Sequence, residues 1–130
     1  MSTSPKYPIA VQRHILVSIG VNNQITYTYI DYQGVLHTGI AQCDLSIIEP
    51  TYTLFLLDGP SARNGWTITE VTGDYPKTPF EYQLGSFGLS VGLYDDYTAP
   101  AHYPFSIVYL NTSTGVIIPV DPQETNIPIH

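Results

Sequence analysis

The chain has 130 residues, of which 43% are apolar and only 12% are charged, and its formal net charge at pH 7 is −7. This length suits one domain with a single core rather than two. Because four scattered basic residues face eleven acidic ones, the composition argues against a nucleic-acid partner and against an anionic membrane surface.

The single cysteine and the N-terminus bear on the compartment. Cys43 has no partner for an internal disulfide, and its default interpretation is a buried, inert thiol. The first residues lack the layout of a secretory signal, and no apolar run approaches the roughly 20 residues of a spanning helix. We therefore expect a soluble, cytoplasmic protein.

Along the chain, residues 1–8 are predicted to be a loose lead-in, after which runs rich in Thr, Val, Ile and Tyr alternate with period two between turn signals. The stretch 41–49 could be a strand, a bent crossover or a single helical turn before Pro50. The predicted strands are 9–20, 24–32, 35–42, 51–58, 66–72, 79–84, 87–94, 105–111 and 116–121. We expect one domain over 1–130, an all-β, antiparallel β-sandwich of immunoglobulin-like character with seven to nine strands; a barrel is the alternative.

Most catalytic and metal patterns are weak in this chain. The four histidines have no ligand spacing, so we predict neither a metal nor a cofactor. Asp95 and Asp96 lack a calcium loop and are predicted to be solvated. Gly88 to Gly92 match the GxSxG pattern around Ser90, but a nucleophile elbow requires a strand, a turn and a helix in an α/β sheet, and the sequence predicts no such helix.

The tyrosines support one functional alternative. Tyrosine rings beside Asn and Asp on a sandwich face could stack on sugars or present a protein-binding patch, although half or more of them must face the core. This gives a non-enzymatic carbohydrate- or protein-binding module as the alternative function. Exposed edge strands would also permit a homodimer. The rings considered are Tyr27, Tyr29, Tyr32, Tyr52, Tyr75, Tyr82, Tyr94, Tyr97, Tyr103 and Tyr109.

The bond between Asp121 and Pro122 is the most reactive chemical feature. The proline nitrogen belongs to a tertiary amide, which twists easily and leaves well once protonated, and the aspartyl carboxyl can attack its own backbone carbonyl. A fold could assist by raising the pKa of a carboxyl, or by a second carboxylate that activates water. The candidate partner carboxylates are Glu49, Glu81, Asp31, Asp58, Asp74 and Asp95.

Asp121-Pro122 in IIPVDPQE and Glu49-Pro50 in SIIEPTYT resemble the two signatures of the small bacterial DP-EP proteins, and the resemblance extends over essentially the whole chain. It implies a β-sandwich that cleaves itself at the Asp-Pro bond as an intramolecular aspartic-type peptidase, here leaving the nonapeptide 122–130. We therefore predict Asp121 and Pro122 as the cleavage site and Asp121 as a catalytic residue. Glu49 and Glu81 are the predicted assisting carboxylates, and His102 is a further assisting candidate.

This chain departs from the family pattern at one point. In that family a lysine can be joined to the aspartate at the cleavage point, whereas this sequence has no lysine after Lys77. A lysine–aspartate crosslink would require Lys77 to fold over the junction, while hydrolysis does not need it.

Overall fold

The structure is a computed structural model, and it describes residues 11–40, 44–77, 80–98 and 101–126. Within these ranges the chain forms eleven strands and one short α-helix in two sheets, which confirms the prediction of an all-β, sandwich-like fold. The predicted strand number of seven to nine is too low. Three sequence predictions, on the lead-in 1–8, on Cys43 and on the end of the C-terminal peptide (127–130), fall outside the described residues.

The strands, in chain order, are β1 (Val11–Ile19), β2 (Ile25–Ile30), β3 (Leu36–Ile40), β4 (Asp44–Ile47), β5 (Thr51–Leu57), β6 (Trp66–Gly73), β7 (Gln83–Leu84), β8 (Ser90–Asp95), β9 (His102–Asn111), β10 (Ile117–Val120) and β11 (Gln123–Asn126). Two single-turn 3-10 helices occupy Val21–Asn23 and Ser86–Gly88. The first sheet has the order β3-β2-β1-β5-β8-β7. In the second sheet β10, β9, β11 and β4 follow one another, and β6 pairs with β9.

Both sheets are mixed, which corrects the prediction of a purely antiparallel sandwich. β5 runs parallel to β1, with Ile15 opposite Phe55, and β11 runs parallel to β4, with Glu124 opposite Leu45. The turn signals in the sequence indicated that consecutive strands pair as antiparallel hairpins. β3 and β5, however, lie in the first sheet, while β4 between them lies in the second. The chain therefore crosses over between β3 and β5, and a strand that returns after a crossover can lie parallel to an earlier one.

The core lies between the sheets and follows the period-two pattern. Alternate residues of β1 point inward, so that Ile15, Val17 and Ile19 are buried while their neighbours are exposed or half-buried. Across the core the hydroxyl groups of Tyr27 and Tyr109 lie 2.8 Å apart and form a buried hydrogen bond. Tyrosines thus occupy part of the interior, in agreement with the prediction that half or more of them face the core.

The helix α1 (Gly59–Arg63) stands where the sequence indicated only a turn. Asp58 caps it, because its Oδ1 accepts a hydrogen bond of 2.9 Å from the Ser61 backbone N–H, and Pro60 suits the first turn of a helix. Its five residues are too few to have shown a 3.6-residue hydrophobic period in the sequence.

Two ambiguous stretches are resolved as strands. Residues 44–47 of the stretch 41–49 form β4, and Ser90 begins β8. The residues after Ser90 continue as a strand, so the literal GxSxG match does not form a nucleophile elbow. Within the described ranges, no helix is long and apolar enough to cross a membrane.

Candidate functional site

The Asp121–Pro122 bond lies between the end of β10 and the start of β11, and both of these strands pair with β9. Val120 of β10 faces Ile107 of β9, and Gln123 of β11 faces Pro104, three positions further along each strand. The antiparallel register therefore passes unchanged through the two residues between β10 and β11. The predicted strand 116–121 corresponds to β10, which ends at Val120, whereas β11 after Pro122 was not predicted.

This register fixes the side-chain directions at the bond. Asp121 is exposed and Pro122 is buried, and the alternation continues through Glu124 and Asn126, which are also buried. The Asp121 carboxyl thus lies on the outer face of the sheet, while the proline ring and the Glu124 side chain lie on the inner face. Nucleophilic and acidic groups on the two sides of this strand would approach the same peptide bond from opposite directions.

On the outer face, Asp121 pairs with a hydroxyl group. The register places Asp121 directly opposite Ser106, at a position where the two backbones share no hydrogen bond and side chains approach most closely. The Ser106 hydroxyl donates a hydrogen bond to Oδ1 of Asp121. A hydroxyl and a carboxylate in contact form the minimal pairing of a nucleophile with a base.

At the bond itself, proline weakens the backbone hydrogen bonding to the neighbouring strand β9. The Phe105 backbone N–H donates to the Pro122 carbonyl over 3.5 Å, which is long for such a bond. Pro122 has no N–H to return, so the reciprocal hydrogen bond of an antiparallel pair is missing. The nitrogen of the Asp121–Pro122 amide is consequently free of any ladder interaction that would hold it.

On the inner face, two carboxyl groups share a buried environment. The side chains of Glu124 and Asp95 are 0% and 1% exposed. Asp95 Oδ1 accepts hydrogen bonds from the Tyr97 backbone N–H at 3.0 Å and from Nδ2 of Asn126 at 3.1 Å. Among the described residues, neither Glu124 carboxyl oxygen has a hydrogen-bond partner. The burial of Asp95 corrects the prediction that Asp95 is solvated, whereas Asp96 is half-buried.

Burial shifts the pKa of both carboxyls upward. Burial, and secondly the charge of Asp95, raise the pKa of Glu124 to about 8, an increase that the Arg13 charge opposes without cancelling. Burial also raises the pKa of Asp95, but its hydrogen bonds from Tyr97 and Asn126 favour the charged form. At neutral pH Glu124 is therefore a carboxylic acid, and it lies near a second buried carboxyl, Asp95, that accepts two hydrogen bonds.

The residues predicted to assist Asp121 lie elsewhere. In the parallel pair of β4 and β11, Gln123 is level with Asp44 and Asn126 with Ile47. Glu49 is exposed and follows the end of β4 at Ile47. Its assistance at the bond stays a prediction.

Glu81 and His102 are also separate from the Asp121 carboxyl. Glu81 is exposed just before β7 in the first sheet, and its charge acts with burial to raise the pKa of Tyr75. His102 Nδ1 lies 3.0 Å from Thr125 Oγ1, four strand positions from Asp121 and therefore about 13 Å away. The Asp121 side chain accepts its hydrogen bond from Ser106, and the assisting roles of Glu81 and His102 stay predictions.

Asp31 and Asp58 have other partners, and the backbone N–H of Asp74 donates to the Pro104 carbonyl at 2.9 Å. Asp31 binds His37, with Oδ2 and Nε2 2.7 Å apart, and Asp58 caps α1. Lys77 donates to the carbonyls of Gly73 and Tyr75 and lies 4.0 Å from the centre of the Tyr75 ring. Glu124 was missed altogether, although continuing the alternation past Pro122 would have placed it on the inner face.

A second candidate site is a groove of about 670 Å³ on the first sheet. Tyr29 and Tyr32 line it together with exposed apolar residues, among them Leu16, Ile30 and Leu36. The Tyr29 ring stacks on His37 with centroids 5.0 Å apart. Apart from Tyr32, which is 41% exposed, most tyrosines considered in the sequence analysis are buried or packed against the core.

No protein-family model matches the chain, and a search of curated proteins found no match. The resemblance to the DP-EP proteins therefore remains a prediction from the two dipeptide motifs.

Proposed function

We propose that this protein is a single-turnover, intramolecular aspartic-type peptidase that cleaves its own Asp121–Pro122 bond. The observation that carries the proposal is Glu124, a fully buried glutamic acid two residues after Pro122 and on the same face as the proline ring. A carboxyl with a pKa of about 8 keeps its proton at neutral pH. It can therefore act as a general acid under conditions where an ordinary glutamate could not.

Glu124 would supply the proton that the leaving group needs. Expulsion of the Pro122 nitrogen as an anion is prohibitively unfavourable, so the nitrogen must be protonated as the bond breaks. Alternate residues of one strand face lie about 7 Å apart, a separation that the glutamate side chain and one water molecule can span. Asp95 contributes indirectly, because its charge helps to keep the proton on Glu124.

Asp121 would act from the other face as the base that activates the attacking oxygen. When an oxygen adds to an amide carbonyl from one face, the nitrogen lone pair develops on the opposite face. Asp121 on the outer face and Glu124 on the inner face satisfy this requirement. Two carboxyls with distinct acid and base roles are the defining chemistry of aspartic peptidases.

The test is the intact mass of the purified protein over days at about pH 5 to 7, where Glu124 is neutral. We expect loss of residues 122–130 from the wild type and a cleavage rate reduced by about 100-fold or more in Glu124→Gln, which keeps the shape but supplies no acidic proton. Glu70→Gln is the matched control, because Glu70 is exposed on β6 and is not a candidate for assistance at the bond. A wild-type mass that stays constant throughout would refute the proposal.

We further propose that the reaction takes place in the cytoplasm, in keeping with the single cysteine. The groove on the first sheet favours a second candidate function, a binding module for a carbohydrate or protein, because its tyrosines and apolar residues offer stacking surfaces. The two functions separate in the same experiment, since a binding module keeps a constant mass.

A further inference from the structure

We propose that the attacking oxygen is the hydroxyl of Ser106, so that cleavage proceeds through an ester between Ser106 and the backbone carbonyl of Asp121. The inference rests on the proposed function and names its nucleophile. Its basis is the contact across the strands: Ser106 lies opposite Asp121 in register and donates its hydroxyl hydrogen to the Asp121 carboxylate.

The position of the hydroxyl suits attack on this carbonyl. The Asp121 carboxylate is joined to its own main-chain carbonyl carbon through only Cβ and Cα, so an oxygen bound to that carboxylate is held close to the same carbon. Productive attack requires a separation of about 3 to 3.5 Å. A small rotation of the serine side chain, with the backbone register unchanged, moves its oxygen from the carboxylate toward the carbonyl carbon.

The direction of approach is also suitable. Peptide groups of a strand lie near the plane of the sheet, so a side chain on the outer face approaches a carbonyl carbon from above its plane. Ser106 is half-buried beside the exposed Asp121. A water molecule on this face would have to displace the serine hydroxyl from the carboxylate before that carboxylate could activate it.

The step balances in atoms and charge. A bond forms between Ser106 Oγ and the Asp121 carbonyl carbon, and the bond from that carbon to the Pro122 nitrogen breaks. The serine proton passes to the Asp121 carboxylate, and the Glu124 proton passes to the nitrogen, which leaves as a secondary amine. Water then hydrolyses the ester, regenerating the serine hydroxyl and leaving a free carboxyl at Asp121.

The first test traps the ester in the wild-type chain with hydroxylamine, which attacks esters. We expect the 1–121 fragment to carry a hydroxamate at Asp121, and without hydroxylamine a transient 1–121 species one water lighter than the acid, in which peptide mapping shows residue 106 joined to residue 121. Cleavage that gives only the free acid under both conditions would overturn the role of Ser106 and leave the proposed function standing. A wild-type chain that is never cut would remove both.

The second test compares Ser106→Ala with Ser106→Thr. We expect the cleavage rate of the alanine variant to fall by about 100-fold or more, and we expect this variant to form no hydroxamate. The threonine variant keeps the hydroxyl group and should retain both cleavage and hydroxamate formation. Equal urea midpoints for both variants would show that folding is not the cause. Cleavage of Ser106→Ala at the wild-type rate would contradict the proposal, and the trapping experiment remains decisive if that variant does not fold.

Discussion

Replacing Glu124 by glutamine should change how the stability of the protein depends on pH. The unfolded chain releases the Glu124 proton near the ordinary value of 4.5, whereas burial and the charge of Asp95 hold the pKa in the folded protein at about 8. Between these values the folded protein binds a proton that the unfolded chain has lost. The free energy of unfolding of the wild type therefore falls as the pH rises through this window.

The magnitude follows from the difference between the two pKa values. Each pH unit in the window lowers the wild-type free energy of unfolding by about 1.4 kcal/mol relative to a variant that cannot titrate. At pH 7, about 2.5 units above the unfolded pKa, the difference reaches about 3 kcal/mol. Below pH 4.5 the effect vanishes, and above pH 8 it becomes constant because both states have lost the proton. Burying the glutamine amide adds a cost that does not depend on pH. This cost changes the difference in the free energy of unfolding by a constant and leaves its slope with pH unchanged.

The assay is urea unfolding followed by the fluorescence of Trp66, which is buried in the core, at about pH 5, 6, 7 and 8 on chains of verified intact mass. Glu70→Gln is the control, because Glu70 is exposed on β6 and should show no such slope. A difference between wild type and Glu124→Gln that stays constant over this range would refute the assignment of Glu124 as a neutral buried acid. It would equally remove the basis for its role in cleavage.

Three further outcomes are expected. The cleavage rate should fall as the pH rises above about 8, because Glu124 then loses the proton that it donates. Samples quenched at set times and analysed by mass spectrometry measure this rate, and a rate that keeps rising with pH would contradict the prediction. After cleavage, residues 122–130 should remain bound under native conditions, since β11 pairs with both β9 and β4, so gel filtration should separate the peptide only in denaturant; its loss in native buffer would argue against this pairing. Tyr27→Phe should lower the free energy of unfolding by about 1 to 2 kcal/mol, because it leaves the buried Tyr109 hydroxyl without this partner, and an unchanged urea midpoint would show that the bond contributes nothing.

The sequence predicted the strands well where the hydrophobic alternation was long. The alternation of β1 and β2 matches the buried residues of the structure, including Ile15, Val17 and Tyr27. It could not predict the parallel pairs, because strand order depends on contacts between distant segments and local turns report only on neighbouring strands. β4 and β11 have four residues each, too few for a period to be recognised.

The candidate site was predicted in part. The chemistry of the Asp-Pro bond is local and can be read from the dipeptide, so Asp121 and Pro122 could be selected from the sequence alone. The partners depend on cross-strand register, which brings Ser106 to Asp121 from fifteen positions away. Glu124 was overlooked because an isolated glutamate in a polar segment is normally exposed, and only the pairing of β11 with β4 and β9 buries it.

The same alternation that builds the core also sorts the reactive groups. Successive side chains of a strand point to opposite faces, so an aspartate and a glutamate three positions apart must lie on opposite sides of the sheet. A spacing of two or four between Asp121 and Glu124 would put both carboxyls on one face, where they would compete for the same side of the amide. The odd spacing in DPQE gives the outer face a base and the inner face a buried acid, which is the arrangement that addition to a proline amide and departure of its nitrogen require.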